Sequence, residues 1–294
     1  MSDRLCRGLF PELGVRAVFA RVGDTTRMAR MLHGLYPTSA HLFAQALAAG
    51  TLLGALQKEK GRVNLQLECD GPVGGLFVDA DTDGNVRGYV RRPSVHFPGD
   101  PSRGARAALG GSGFLSVLRQ LGDGQHYRSA VELRALDLAE DLRRWFAASE
   151  QVATALDLAV VSRGEEPLGE VAGMLVQRLP DGDDGVIAGA RARLAAGALP
   201  AALARGASAQ EVIRDVCGDG FELLADAEVA YRCGCSDARA RAAVSALGRE
   251  GVLEVLATEK EAVITCEFCR SRYVVDEDAL REIARRLGER EASG

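Results

Sequence analysis

The chain has 294 residues, of which 47% are hydrophobic and 26% are charged, and its formal net charge is −5. This length allows more than one domain, and the acidic balance argues against nucleic acid as the main partner. No run approaches the roughly 18 apolar residues of a membrane span and the N-terminus lacks a secretory layout, so we expect a cytoplasmic protein whose thiols stay reduced.

Residues 1–180 are expected to form an α+β domain. Apolar residues at helical spacing after a Thr/Ser start predict a helix over residues 37–57. Short apolar runs separated by two Asp-Gly turn signals predict an antiparallel β-meander over residues 62–90. A hairpin over residues 114–133, turning at the sequence GDGQ, and an amphipathic helix over residues 136–149 complete the predicted domain.

Residues 181–230 are Ala-rich and interrupted by glycine and proline. Ser208 and Glu211 have the spacing of a capping box, which predicts that a helix begins there. Large apolar side chains are few in this stretch. We therefore interpret it as a helical linker of low intrinsic stability that docks on the first domain.

Residues 231–294 are expected to form a small separate domain. Ser236 and Asp276 are predicted to cap an early and a final helix, and residues 252–265 are predicted to form a hairpin between them. A unit of this size buries little apolar surface, so it usually needs a disulfide or a metal to stabilise it.

Four of the seven cysteines lie in this last block, in the patterns Cys233-x-Cys235 and Cys266-x-x-Cys269. Two pairs of thiolates brought together by the intervening chain suit a tetrahedral site with four cysteine ligands, and the sequence predicts that it holds zinc. An iron–sulfur cluster or a chance grouping of structural cysteines are the weaker alternatives.

The plain interpretation of such a site is a structural zinc ion, and a sharper one is a redox switch. Zinc binding contributes on the order of 10–16 kcal/mol to the folding of small domains, so oxidising the thiolates would remove the ligands and unfold the block. The linker would then loosen and uncover apolar surface on the first domain. Proximity favours the disulfides Cys233–Cys235 and Cys266–Cys269, although the first closes a small, strained ring.

Several short sequences occur in a fixed order along essentially the whole chain: HGLYPTSA, DGPVGGLFVD, GNVRGYV, FAASEQVATAL, AGMLVQRLP and finally CGCS followed by CEFCRSRYVVDEDAL. In these blocks, and most strongly in the last, the chain resembles the redox-regulated 33-kDa heat-shock chaperones of bacteria. The order of these blocks together with the thiol pattern makes the resemblance specific.

The resemblance implies an ATP-independent holdase rather than an enzyme. It implies one zinc ion per chain held by Cys233, Cys235, Cys266 and Cys269 in the reduced, inactive protein. It further implies that oxidation forms disulfides, with the C-x-x-C pair as the primary sensor and the C-x-C pair locking the unfolded state. The active form is expected to be a homodimer that binds unfolding client proteins, with no nucleic-acid or membrane partner.

Three positions depart from the family pattern. Ala153 stands where the family typically has proline, Cys69 where it usually has glycine, and Arg270 where Asn or Gly is more common. None of them is a predicted ligand. They bear on the tuning of the switch, because a guanidinium beside the C-x-x-C pair is expected to lower the pKa of a nearby thiol.

Two other functions are compatible with paired cysteines. The first is a zinc ribbon with a purely structural metal that binds nucleic acid or a protein complex constitutively. Residues 231–294 hold eleven Lys and Arg against twelve Asp and Glu, which does not favour nucleic acid. The second is a thiol oxidoreductase, which would need its C-x-x-C at the start of a helix in a thioredoxin-like unit. The lone Cys6, Cys69 and Cys217 are predicted to be small buried hydrophobic residues.

Overall fold

The structure, a computed structural model, describes residues 2–57, 61–120, 124–164 and 166–293. It divides into two compact units, residues 1–232 and 233–294. Helices and strands are both abundant in the first unit, so the predicted α+β class is confirmed.

The first unit contains two β-sheets and seven α-helices within its described residues. Its strands are β1 (Arg4–Phe10), β2 (Val15–Arg21), β3 (Arg62–Cys69), β4 (Gly75–Asp81), β5 (Asn85–Val90), β6 (Gly113–Gln120), β7 (His126–Glu132), β8 (Thr154–Arg163), β9 (Glu166–Arg178), β10 (Glu222–Glu228) and β11 (Ala230–Tyr231). Its helices are α1 (Gly23–His33), α2 (Pro37–Ala55), α3 (Pro101–Leu109), α4 (Leu138–Trp145), α5 (Asp184–Ala195), α6 (Ala198–Ala204) and α7 (Ala209–Cys217).

The strands are ordered β10-β1-β2-β9-β8 in the first sheet and β11-β5-β4-β3-β6-β7 in the second. All neighbours are antiparallel except β11 and β5. The predicted meander is confirmed as β3 to β5, and the predicted hairpin as β6 and β7. Two residues of its GDGQ turn, 122 and 123, lie outside the described residues.

Helix α2 lies between the two sheets and contacts strands of both. It is buried on nearly all sides because its sequence is almost entirely apolar, and it confirms the helix predicted over residues 37–57. Two glycines allow the close packing on strand β4. A Cβ atom at Gly50 would lie 2.4 Å from Val78 Cγ1, and one at Gly54 would lie 2.6 Å from the carbonyl oxygen of Asp81.

The first sheet is covered on its other face by α5, α6 and α7. Alternate residues of its strands, such as Phe19, Met174 and Val176, point away from α2 and pack with the apolar side of these three helices. The capping box of Ser208 and Glu211 at the start of α7 is confirmed, with both reciprocal hydrogen bonds present. The four layers of this unit are therefore sheet, helix, sheet and helices.

The predicted helical linker over residues 181–230 is not helical at its end, because residues 222–228 form strand β10. Leu, Ala and Glu favour a helix intrinsically, but β1 supplies an edge with which this segment pairs in the first sheet. Gly218 and Gly220, both at positive φ, separate the strand from α7. At the centre of the strand, Asp226 accepts hydrogen bonds from Arg4 and from the thiol of Cys6.

The second unit contains α8 (Asp237–Ser245), α9 (Gly248–Thr258), β12 (Ala262–Thr265), β13 (Arg272–Val275) and α10 (Glu277–Ser293). The predicted caps are confirmed: Ser236 accepts from the N–H of Arg239, and Asp276 accepts from the N–H of Ala279. The prediction of a hairpin over residues 252–265 is wrong, because most of this stretch is helix α9. Valine and leucine recur there at helical spacing and pack on α10.

No single helix in the described residues is long and apolar enough to cross a membrane. Helices α5 and α6, bent by 57° at the break between them, meet the length and composition criteria only when they are taken together.

The close packing of α2 on β4 predicts that alanine is destabilising at Gly54, whereas it is stabilising at a helical glycine without such a contact. Gly54→Ala should lower the free energy of unfolding by about 1–3 kcal/mol, because its methyl group would meet the backbone of Asp81. Gly189→Ala in α5 is the control: the nearest atom is the flexible end of Arg193 at 3.4 Å, so alanine should raise stability by up to about 1 kcal/mol. Urea unfolding measures both, and equal effects would contradict the close approach.

Candidate metal centre

The structure brings the four predicted cysteines together. The sulfur atoms of Cys233, Cys235, Cys266 and Cys269 all lie within 4.8 Å of one another. The sulfurs of Cys233 and Cys266 are 3.6 Å apart, and those of Cys235 and Cys269 are 3.2 Å apart. The edge of a tetrahedral zinc–tetrathiolate site is about 3.8 Å, as follows from a Zn–S bond of about 2.3 Å.

The C-x-x-C pair occupies the turn between β12 and β13. The N–H of Cys266 donates to the carbonyl of Ser271 at 2.9 Å, and the N–H of Arg270 donates to the carbonyl of Cys266 at 2.8 Å. Arg270 closes this turn in the left-handed conformation, with φ of 58°. The C-x-x-C pair therefore forms a knuckle, a tight turn between two short strands that presents both sulfurs.

The C-x-C pair lies immediately before helix α8. Cys233 and Cys235 precede Ser236, whose side chain caps the helix, so the capped helix start fixes the direction of the chain that carries both sulfurs. All four cysteines are partly buried. The site is thus assembled from one helix start and one hairpin turn, separated in sequence by α8, α9 and β12.

Two further side chains contact the sulfurs, and the sequence reasoning missed both. The phenol of Tyr273 donates to Cys235 Sγ at 3.0 Å, and the thiol of Cys269 donates to Ser271 Oγ at 3.2 Å. A signal was present for Tyr273: alternation along a strand that follows the knuckle places every second side chain on the side that is buried.

The thiols of the cluster have strongly different proton affinities. Burial raises the pKa of Cys235 to about 12, and burial also raises the pKa of Cys266. Burial acts in the same direction on Cys269, but hydrogen bonds from Ser271 and the neighbouring thiols outweigh it and lower the pKa to about 6. Four thiolates at this separation repel one another, so a bound cation is needed to hold all of them deprotonated.

The donor set fits a soft metal ion with tetrahedral geometry. Four sulfurs with no carboxylate among them are typical of zinc, and iron is the other metal that such sites hold. Among the residues that the structure describes, this is the only group of three or more Cys, His, Asp or Glu side chains close enough together to hold an ion.

The three remaining cysteines lie outside the cluster. Cys6 and Cys217 are buried as predicted, and burial raises the pKa of each thiol to about 12. Cys69 is only partly buried at the end of β3, so the prediction of a buried residue holds for it in part, and burial raises its pKa as well.

The predicted influence of Arg270 on the cluster has a different basis. Its guanidinium pairs with Glu267 at 3.0 Å, and the side chains that lower the pKa of Cys269 are Ser271 and the neighbouring cysteines. What Arg270 contributes is backbone strain, because a left-handed conformation costs a residue with a side chain about 1–2 kcal/mol.

We expect Arg270→Gly to tighten the knuckle, because glycine adopts positive φ without this cost. The free energy of unfolding of the metal-loaded protein should rise by about 0.5–1 kcal/mol, measured by thermal or urea denaturation. The matched control is Arg272→Gly in strand β13, which should lower stability because glycine weakens a strand. A loss of stability in both variants would contradict the strain at Arg270.

The comparisons with known proteins agree with the fold and the cluster. Residues 3–276 match the family model described as Hsp33 protein. The 33 kDa chaperonin of Thermosynechococcus vestitus is 35% identical over 98% of this chain and 98% of its own length, and that of Synechococcus sp. (strain JA-3-3Ab) is 34% identical over 96% and 90%.

Among solved structures, the 33 kDa chaperonin (heat shock protein 33 homolog) of Thermotoga maritima matches with a TM-score of 0.86. It is 25% identical in sequence, and the match covers 98% of this chain and 100% of that one. The resemblance inferred from the sequence blocks is thereby confirmed. The chain belongs to the Hsp33 family.

Proposed function

We propose that this protein is a redox-switched, ATP-independent holdase chaperone of the cytoplasm. Its four-cysteine cluster is the switch: reduced and zinc-bound in the inactive state, oxidised to disulfides in the active one. The observation that carries the proposal is the convergence of four sulfurs within 4.8 Å in a unit with a small apolar core. The names of the relatives support a chaperone that binds client proteins.

The second unit depends on the cluster because little else holds it together. Its buried core consists of small and aliphatic side chains from α8, α9, β13 and α10. Zinc, when bound, would offset half of the negative charge of the four thiolates and join the start of α8 to the knuckle. A structural zinc ion contributes on the order of 10 kcal/mol to the folding of small domains, which is more than such a small apolar core supplies.

Oxidation removes the ligands themselves. Two thiolates lose two electrons and form one disulfide, and disulfide sulfurs no longer carry the charge that binds a divalent cation. The proposed pairs are Cys233 with Cys235 and Cys266 with Cys269, because only one or two residues separate the cysteines of each pair. Without the bound zinc ion the second unit then unfolds.

The surface that clients would bind lies in the first unit. Helices α5 to α7 cover an apolar face of the first sheet that includes Phe19, Met174 and Val176. The chain runs from these helices through β10 and β11 directly into Cys233. We propose that disorder in the second unit spreads back along this path, that the uncovered apolar face binds unfolding proteins, and that the active form is a homodimer.

The test is the aggregation of a thermally unfolding client, followed by light scattering. The chain is supplied either reduced and zinc-loaded or oxidised by peroxide, and a metal-sensitive dye reads zinc release in the same samples. We expect only the oxidised form to suppress scattering, with about one zinc released per chain. The control is Cys69→Ser, which leaves the cluster intact and should switch like the parent protein.

Equal suppression of client aggregation by both forms would contradict the redox switch and favour a structural zinc ion. A chain that binds zinc but never suppresses aggregation would point to the constitutive zinc ribbon instead.

Metal removal should affect the two units differently. A strong chelator applied to the reduced protein should raise the rate of amide hydrogen exchange in α8, α9 and α10 by at least tenfold. The reason is that the zinc ion that stabilises their small apolar core is removed. Helix α2 is the internal control and should stay protected, since it is buried between two sheets. Persistent protection of α8 to α10 would show that the second unit folds without metal.

A further inference from the structure

Tyr273 lies on the strand that leaves the C-x-x-C knuckle. Along β13 the side chains of Arg272 and Val274 are exposed, whereas Tyr273 and Val275 point inward. Pairing with Ile264 on β12 fixes the backbone of Tyr273. Its ring is therefore held by a paired strand, and its hydroxyl reaches the other half of the cluster, 3.0 Å from Cys235 Sγ.

The other sulfurs are contacted by different groups. The backbone N–H groups of Phe268 and Cys269 act on Cys266 and lower its pKa, against the burial that raises it. Cys269 contacts Ser271, whose exposed hydroxyl rotates freely enough to accept from a thiol or to donate to a thiolate. The phenol of Tyr273 donates to Cys235 across the cluster, so this bond links the hairpin to the sulfur that precedes α8.

We infer that Tyr273 is a positioning residue of the redox switch, and that its hydrogen bond selectively slows the oxidation of Cys235. A donated hydrogen bond withdraws charge from a thiolate sulfur and makes it a poorer nucleophile. The same bond holds this sulfur inside the cluster. The inference rests on the proposed function only in taking the cluster to be the site of oxidation.

The step that the phenol slows is the attack of a thiolate on a peroxide. The sulfur attacks one peroxide oxygen, the O–O bond breaks and hydroxide leaves, which gives a sulfenic acid. A second thiolate attacks that sulfur, the S–O bond breaks and a second hydroxide leaves. Two thiolates are thus oxidised by two electrons to one disulfide, and the peroxide is reduced to two hydroxide ions.

The experiment measures oxidation at each cysteine separately. The zinc-loaded full-length chain is exposed to hydrogen peroxide, quenched with an alkylating reagent at intervals and analysed by peptide mass spectrometry. In Tyr273→Phe the rate at Cys235 should rise roughly fivefold, the effect of one ordinary hydrogen bond, with little change at Cys269. Ser271→Ala is the matched variant and should change Cys269 while leaving Cys235 at the parental rate.

A second variant separates the hydrogen bond from the fold. Tyr273 replaced by 3-fluorotyrosine keeps its shape but donates more strongly, so oxidation of Cys235 should become slower than in the parent. The sulfur-to-metal charge-transfer band of the cobalt-loaded protein should shift in opposite directions in the two variants. A purely structural role would speed oxidation of all four cysteines alike in Tyr273→Phe and leave the fluorinated protein unchanged, and that pattern overturns the inference.

These rates need no client protein, so failure of this inference is distinguishable from failure of the proposed function. Selective acceleration of Cys235 in a chain that never suppresses aggregation supports the role of Tyr273 and contradicts the holdase. Normal switching with an unchanged rate at Cys235 in Tyr273→Phe contradicts the role of Tyr273 alone.

Discussion

The stability of the second unit depends on the repulsion among four sulfur atoms that lie within 4.8 Å of one another. Without a cation their protons are shared unevenly, as the pKa of about 12 at Cys235 and of about 6 at Cys269 shows. A divalent cation reverses this repulsion and turns it into the main attraction in the unit. Under the proposed function, the atoms that stabilise the unit are also the ones that oxidation modifies, so its stability would depend on its redox state.

The first sheet faces two cores of different character. Towards α2 it meets a helix with large side chains such as Phe43, Leu47 and Leu52. Towards α5, α6 and α7 it presents many alanines, and the helices themselves have 12, 7 and 9 residues. Short helices that bury only three or four side chains each gain less from packing than one long apolar helix does. The layer of α5 to α7 is consequently the one that separates at the lower cost in free energy.

Features encoded by neighbouring residues were predictable, and features that need a distant partner were not. The cysteine pairs and the caps at Ser208, Ser236 and Asp276 are local signals, and the structure contains each of them. Strand β10 required β1, more than 200 residues earlier, as its pairing edge. The stretch that forms α9 was predicted as a hairpin because a short apolar run with valine is compatible with the periodicity of a helix and with that of a strand. Packing on α10 is what favours the helix.

The path of the chain sets the order in which a disturbance of the second unit reaches the first. Strand β11 comes first, and Tyr231 anchors it: the phenol donates to the carbonyl of Gly88 at 2.6 Å and lies 3.0 Å from His33 Nε2. Strand β10 comes next, held to β1 by its ladder and by Asp226. Under the proposed function each of these contacts must break before α7 is released. How readily the apolar face is exposed then depends on how strongly these strand contacts resist the disorder of the second unit, and heat, which weakens the same contacts, would favour the exposure.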